Sequence, residues 1–100
     1  MSDRNALERA FEEFHSAVRS LTMGNEPLDE RLSRAWLCRL AHVREWELNH
    51  PDLAARIAAI KTRLQAAGDL HETEQAALAD EIFSTYTAIT EQLTLISSPH

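Results

Sequence analysis

NHPDLAARIAAIKTRLQAAGD, running from Asn49 to Asp69, holds the two signals that decide the fold. Pro51 has no backbone N–H and disfavours helix at His50, so one element closes and another opens at this point. From Leu53 onward the apolar residues recur at Ile57, Ile60, Leu64 and Ala67, steps of three and four that place them on one side of a helix. Ala55, Ala59 and Ala66 add strong helix propensity. Gly68 then stops the helix, and Asp69 with Glu72 three residues on reads as a capping box for the next.

The same punctuation extends in both directions. Upstream, Ser2 or Asp3 serves as an N-cap and Gly24 as a left-handed C-cap, with Asn25-Glu26-Pro27 turning the chain into its second helix. Leu7, Phe11, Phe14, Val18 and Leu21 form the first seam, flanked by Ala10 and Ala17. Downstream, Leu78, Ile82, Tyr86, Ile89, Leu93 and Ile96 form the last seam, which runs on toward Pro99. Helices are expected over residues 3–23, 28–48, 51–67 and 70–97, with short connections and neither strand-like alternation nor an internal repeat. These features predict a single all-α domain over residues 1–100, folded as a four-helix up-down-up-down bundle.

Composition agrees. The chain has 100 residues, 44% hydrophobic and 26% charged, so it can bury one modest core without a metal or disulfide staple. Five Gly and Pro residues together supply too little turn chemistry for a sandwich or barrel. The longest charge-free stretch, Ile82 to Thr90, is far short of a membrane span, so no membrane partner is expected. Met1-Ser2-Asp3-Arg4 mixes charges with no apolar block behind them, and Cys38 is the lone cysteine. Both features suit a reducing cytoplasmic setting.

The second helix is apolar around most of its circumference. At about 100° per residue, Leu28, Leu32, Ala35, Trp36, Val43 and Trp46 share an arc that faces the bundle. Leu37, Ala41 and Leu48 fall on another side, with Leu40 between the sets. A helix greasy on two sides needs two covers, which makes Leu37, Ala41 and Leu48 the first candidate partner-binding strip. Arg39 interrupts the inward arc. A buried guanidinium there would need an acid, Glu13 or Glu81, and a stacking surface such as Trp36 or Tyr86, so Arg39 and Tyr86 are expected as buried polar residues.

Charge is unevenly distributed. The net charge is −6, and residues 69–100 carry six acids with no Lys or Arg, whereas the third helix carries Arg56, Lys61 and Arg63. This balance argues against nucleic acid, whose binding depends on a basic surface that displaces counterions. Beyond Glu81 the last helix is decorated by Ser and Thr. Its low charge makes Phe83, Thr87, Thr94 and Leu95 a second candidate contact patch, because interface centres are depleted of charge.

Chemistry is sparse. Glu12/His15 and Glu47/His50 have the Glu-x-x-His spacing of dinuclear metal bundles, but antiparallel pairing separates them by ~12 Å along the axis at 1.5 Å per residue. His15, at the edge of the first seam, also suits a phosphotransfer histidine or a metal ligand. The turn that follows, Val18-Arg19-Ser20, nevertheless lacks the Lys-Gly pair that phosphotransfer domains place there. With no nucleophile elbow, phosphate-cradling loop or paired acids, neither enzymatic activity nor a cofactor is expected. The sequence reads as a contact protein, either a homodimer or an adaptor, chaperone or regulatory subunit, with a His15-centred phosphotransfer or metal-binding bundle as the alternative.

Overall fold

Four helices carry the chain in the computed structural model, which describes residues 3–48, 50–66 and 69–97: α1 (Asp3–Met23), α2 (Leu28–Cys38), α3 (Pro51–Leu64) and α4 (Glu72–Ser97). There is no strand among the described residues, and no helix is long and apolar enough to cross a membrane. The fold is therefore all-α. Expectations placed on Ser2, Ala67, Gly68 and the Ile96 side chain lie outside the described residues.

The seams are where periodicity puts them. Leu7, Phe14 and Leu21 of α1, Leu53, Ile57, Ile60 and Leu64 of α3, and Leu78, Ile82 and Ile89 of α4 form one core. Burying each large aliphatic side chain contributes about 1.5–3 kcal/mol. In α1 the core takes in the alanine flank as well as the middle of the seam: Ala6, Ala10 and Ala17 are buried, while Phe11 and Val18, at the seam's other edge, are only partly covered. Small side chains let the neighbouring helices come close on that flank.

Helix ends differ from expectation in instructive ways. Gly24 does not adopt a left-handed conformation, since no glycine among the described residues has positive φ. Its lack of a side chain serves close approach instead. A Cβ there would lie 2.6 Å from Glu26 Oε2 and 2.8 Å from Arg31 Cδ. Arg31 is held in place by donating from Nε to the Glu26 carbonyl at 2.9 Å and from Nη1 to the Leu21 carbonyl, which ties the end of α1 to α2. α4 opens at Glu72, so the capping box expected from Asp69 and Glu72 is replaced by a half-box two residues on. The His71 N–H donates to Glu74 Oε1 at 3.3 Å, the reach-back of an N3 glutamate to the residue before the helix.

The largest departure is in the second helix. It ends at Cys38, not at residue 48, and the chain continues through two 3-10 turns, Leu40–His42 and Glu45–Glu47. The reason lies in burial. A straight helix would carry Leu48 roughly 160° away from the buried pair Leu32 and Ala35 at about 100° per residue. The broken path instead brings Leu40, Val43 and Leu48 into the core and turns Trp46 out, leaving it 70% exposed. Lys61 of α3 fastens this path by donating to the Val43 carbonyl at 2.9 Å and to Glu45 Oε1 at 2.7 Å, with its ammonium 5.3 Å from the Trp46 ring centroid.

Polar contacts give the order of pairing. Between α1 and the second segment they join Leu21 to Arg31, Glu13 to Arg39 and Arg9 to Glu47. Between α3 and α4 they join Arg56 to Ser84 and Arg63 to Glu81. In both sets the residue number falls on one element as it rises on the other. The molecule measures 45 × 24 × 21 Å, and α4, with 26 residues spanning ~39 Å, runs most of its length.

Candidate functional site

The core face of α4 is Leu78, Ile82, Thr85 and Ile89, all fully buried. One flank is held by α1. Tyr86 stacks on Phe11 with centroids 5.4 Å apart, and its hydroxyl shares a 2.9 Å hydrogen bond with His15 Nδ1. The other flank is held by α3 through Arg56 Nη2 donating to Ser84 Oγ at 2.8 Å and the Arg63–Glu81 ion pair at 3.1 Å. Turning from these faces at about 100° per residue leaves an outward stripe of Asp80, Thr87, Glu91 and Thr94, all exposed, with Leu95 beside it at 65% exposure.

This stripe is less polar than its sequence. Thr87 Oγ1 donates to the Phe83 carbonyl at 3.1 Å, Thr90 to that of Tyr86 at 2.9 Å and Thr94 to that of Thr90 at 2.9 Å. Each hydroxyl proton is thereby engaged within the helix, and what remains for solvent or a partner is the γ-methyl groups and the acceptor side of Oγ1. Between these threonines, Tyr86, Glu91 and Leu95 lies an open hollow of about 500 Å³.

Of the second sequence-predicted patch, Thr87, Thr94 and Leu95 are brought together in this hollow. Phe83 is not; it is partly buried against the core. Sequence reasoning missed Thr90, Glu91 and the wall formed by Tyr86. The signal available for the threonines was their place within a helix, where each hydroxyl can donate to a carbonyl four residues back and leave no free donor on that face.

The first predicted strip does not exist as one face. Leu37 is the next-to-last residue of α2 and is 68% exposed, Ala41 is exposed in the first 3-10 turn, and Leu48 is buried at 8%. The break in the helix separates what helical spacing had joined. Arg39 is not a buried residue either. It sits at the C-terminal boundary of α2 with its side chain 49% exposed, 4.0 Å from Glu13, because the helix ends where the inward arc would have enclosed it. Glu81, the other acid considered for it, pairs with Arg63. Tyr86 is half-buried and has its partner in His15.

His15 is exposed, with its ring stacked on Phe11 at 5.8 Å. Glu47 lies between Arg9 at 3.5 Å and Arg44 at 3.8 Å, on the wall of a cleft of about 240 Å³ whose acids and guanidiniums balance. No three His, Cys, Asp or Glu side chains among the described residues are placed to hold a metal ion. Comparison with known family models, curated proteins and solved structures finds no match to this chain.

Proposed function

We propose that this protein is a non-catalytic, single-domain four-helix bundle of up-down-up-down topology that works by protein–protein contact, receiving a helix of another chain on the outer face of α4. The topology is supported by the opposed numbering of the α1–α2 and α3–α4 contacts. The contact reading rests on one observation: the hollow at Thr87, Thr90, Thr94 and Leu95, where back-bonded hydroxyls and an exposed leucine present apolar surface on a helix already supported from both sides. Apolar surface on a rigid element supplies contact area with little ordering cost. An exposed free thiol at Cys38 is compatible with work in a reducing compartment such as the cytosol.

Photo-crosslinking tests the proposal. A photoreactive side chain at Thr87 or Thr94, introduced in the native cell, is expected to give a discrete protein adduct, while the same group at exposed Ala58 of α3 gives none. Equal labelling from both helices, or no adduct from α4, would overturn the reading.

A further inference from the structure

The electrostatics of the same face say what kind of helix it takes, an inference that rests on the docking reading above. No Lys or Arg occurs anywhere in residues 69–100. Of the acids on α4, Glu81 is paired with Arg63 and Glu74 accepts from the His71 amide. Glu72, exposed in the first turn, makes no ion pair or hydrogen bond with a described residue but lies off the outward stripe; Asp80 and Glu91 are different. Both lie on the outward stripe, both are exposed, and neither makes an ion pair or hydrogen bond with any described residue. Eleven positions apart, they stand roughly 16 Å from each other along the axis at 1.5 Å per residue. One precedes the hollow and the other lines it.

A third observation has the same sign. The last turn of α4 contains no basic residue, so the carbonyls at that end, which favour cations, have no side-chain cation from their own helix. We infer that the partner is a basic amphipathic helix. Its apolar side seats one or two large side chains between Thr87 and Leu95, and its Lys or Arg residues meet Asp80, Glu91 and the C-terminal end of α4.

A second copy of this chain fits poorly. Two-fold pairing presents the same surface on both sides, so pairing through this stripe brings no Lys or Arg of the other copy's α4 opposite Asp80 or Glu91, and in a parallel register it sets each acid against itself.

The experiment titrates the full chain with an amphipathic Leu/Lys peptide about five helical turns long, and with its Leu/Glu counterpart. Fluorescence anisotropy and backbone amide NMR are read at about 0.15 M salt, where charges more than ~8 Å apart are largely screened. The Leu/Lys peptide is expected to bind saturably, with amide shifts concentrated over residues 80–95, and the Leu/Glu peptide not to bind. Leu95→Lys is expected to weaken binding about tenfold or more, as loss of an interface anchor does. Asp80→Asn with Glu91→Gln is expected to weaken it several-fold and to flatten its salt dependence, while Thr62→Lys on α3 changes nothing. These positions are all exposed, and circular dichroism of each variant checks that the fold is retained.

Equal binding of both peptides would overturn the inference, as would Leu/Lys binding indifferent to Leu95→Lys. If neither peptide binds while the Thr94 crosslink persists, the docking reading stands and the basic partner falls. If the crosslink also fails, both fall. A concentration-dependent rise in mass abolished by Leu95→Lys would assign the face to a second copy instead.

Discussion

Thr85 occupies a position on α4 where the core calls for a hydrocarbon. It is fully buried, and unlike Thr87, Thr90 and Thr94 its hydroxyl has no hydrogen-bond partner. An unsatisfied buried hydroxyl costs about 1–3 kcal/mol, so Thr85→Val, which keeps the branched shape, is expected to stabilise the protein by about 1 kcal/mol and to raise its melting temperature by roughly 4–8 °C. Urea and thermal unfolding check this directly; a loss of stability would mean that the hydroxyl is paired after all. Glu26 gives the corresponding prediction for charge. Its own backbone N–H, and then the Arg34 guanidinium that donates to its Oε1, hold its carboxyl below the ordinary value of 4.5. The unfolded chain therefore binds the proton more readily than the folded one, and the stabilisation is present above about pH 4.5 and fades as pH falls through the lower folded value. The stability difference between wild type and Glu26→Gln should close below pH 4.5 and be constant above it. At this scale the sequence was legible where a side chain has one preference. Ile57, Ile60 and Ile82 had to be inside, whereas Thr85 and Leu48 depend on neighbours that no local pattern names.

The segment between Arg39 and Leu48 shows the limit of helical periodicity. Gly, Pro or capping residues mark α1, α3 and α4 in the sequence, although α3 ends at Leu64, short of the expected residue 67, and α4 opens at Glu72, beyond the expected residue 70. By contrast, nothing in Arg39 to Leu48 breaks a helix by itself. The one misfit was Arg39, a charge on an apolar arc, and the helix ends beside it. What chooses the broken path is tertiary: three apolar side chains gained by the core and a lysine from α3 that meets a carbonyl and a carboxylate. The Lys61 and Glu45 side chains are only 16% and 13% exposed, so breaking the pair strands a charge that water barely reaches. Lys61→Met is expected to cost roughly 3 kcal/mol, whereas Lys61→Met with Glu45→Leu recovers most of that, because replacing both partners leaves no uncompensated charge. Urea unfolding followed by Trp fluorescence measures both variants. A double variant as unstable as the single one would show that the lysine acts through the Val43 carbonyl, not through the carboxylate. The candidate site followed the same division. Thr87, Thr94 and Leu95 were legible as a low-charge run on an unbroken helix, and the Leu37–Leu48 strip failed because its helix did not continue.

Over the whole molecule, charge compensates for exposed apolar surface. Leu37, Trp46, Met23 and Leu95 all stand out from the surface, yet they belong to different elements, and the stripe on α4 that could join into a seam is interrupted by Asp80 and Glu91. Positions 80, 84, 87, 91 and 94 recur at the three- and four-residue steps of a coiled-coil seam, so pairing of the longest helix with its copy along this face would have to bury those two acids. The wild-type chain is therefore expected to sediment with the mass of one chain, 11.3 kDa, at physiological ionic strength. Asp80→Leu with Glu91→Leu extends the apolar stripe along about two-thirds of α4 without touching the core. That variant is expected to become a helical dimer whose mass rises with concentration. The homodimer suggested by the sequence becomes in this view a neighbouring state, held off by two charges on one face. A wild-type dimer, or a double variant that stays monomeric, would each show that the acids of α4 do not govern its association.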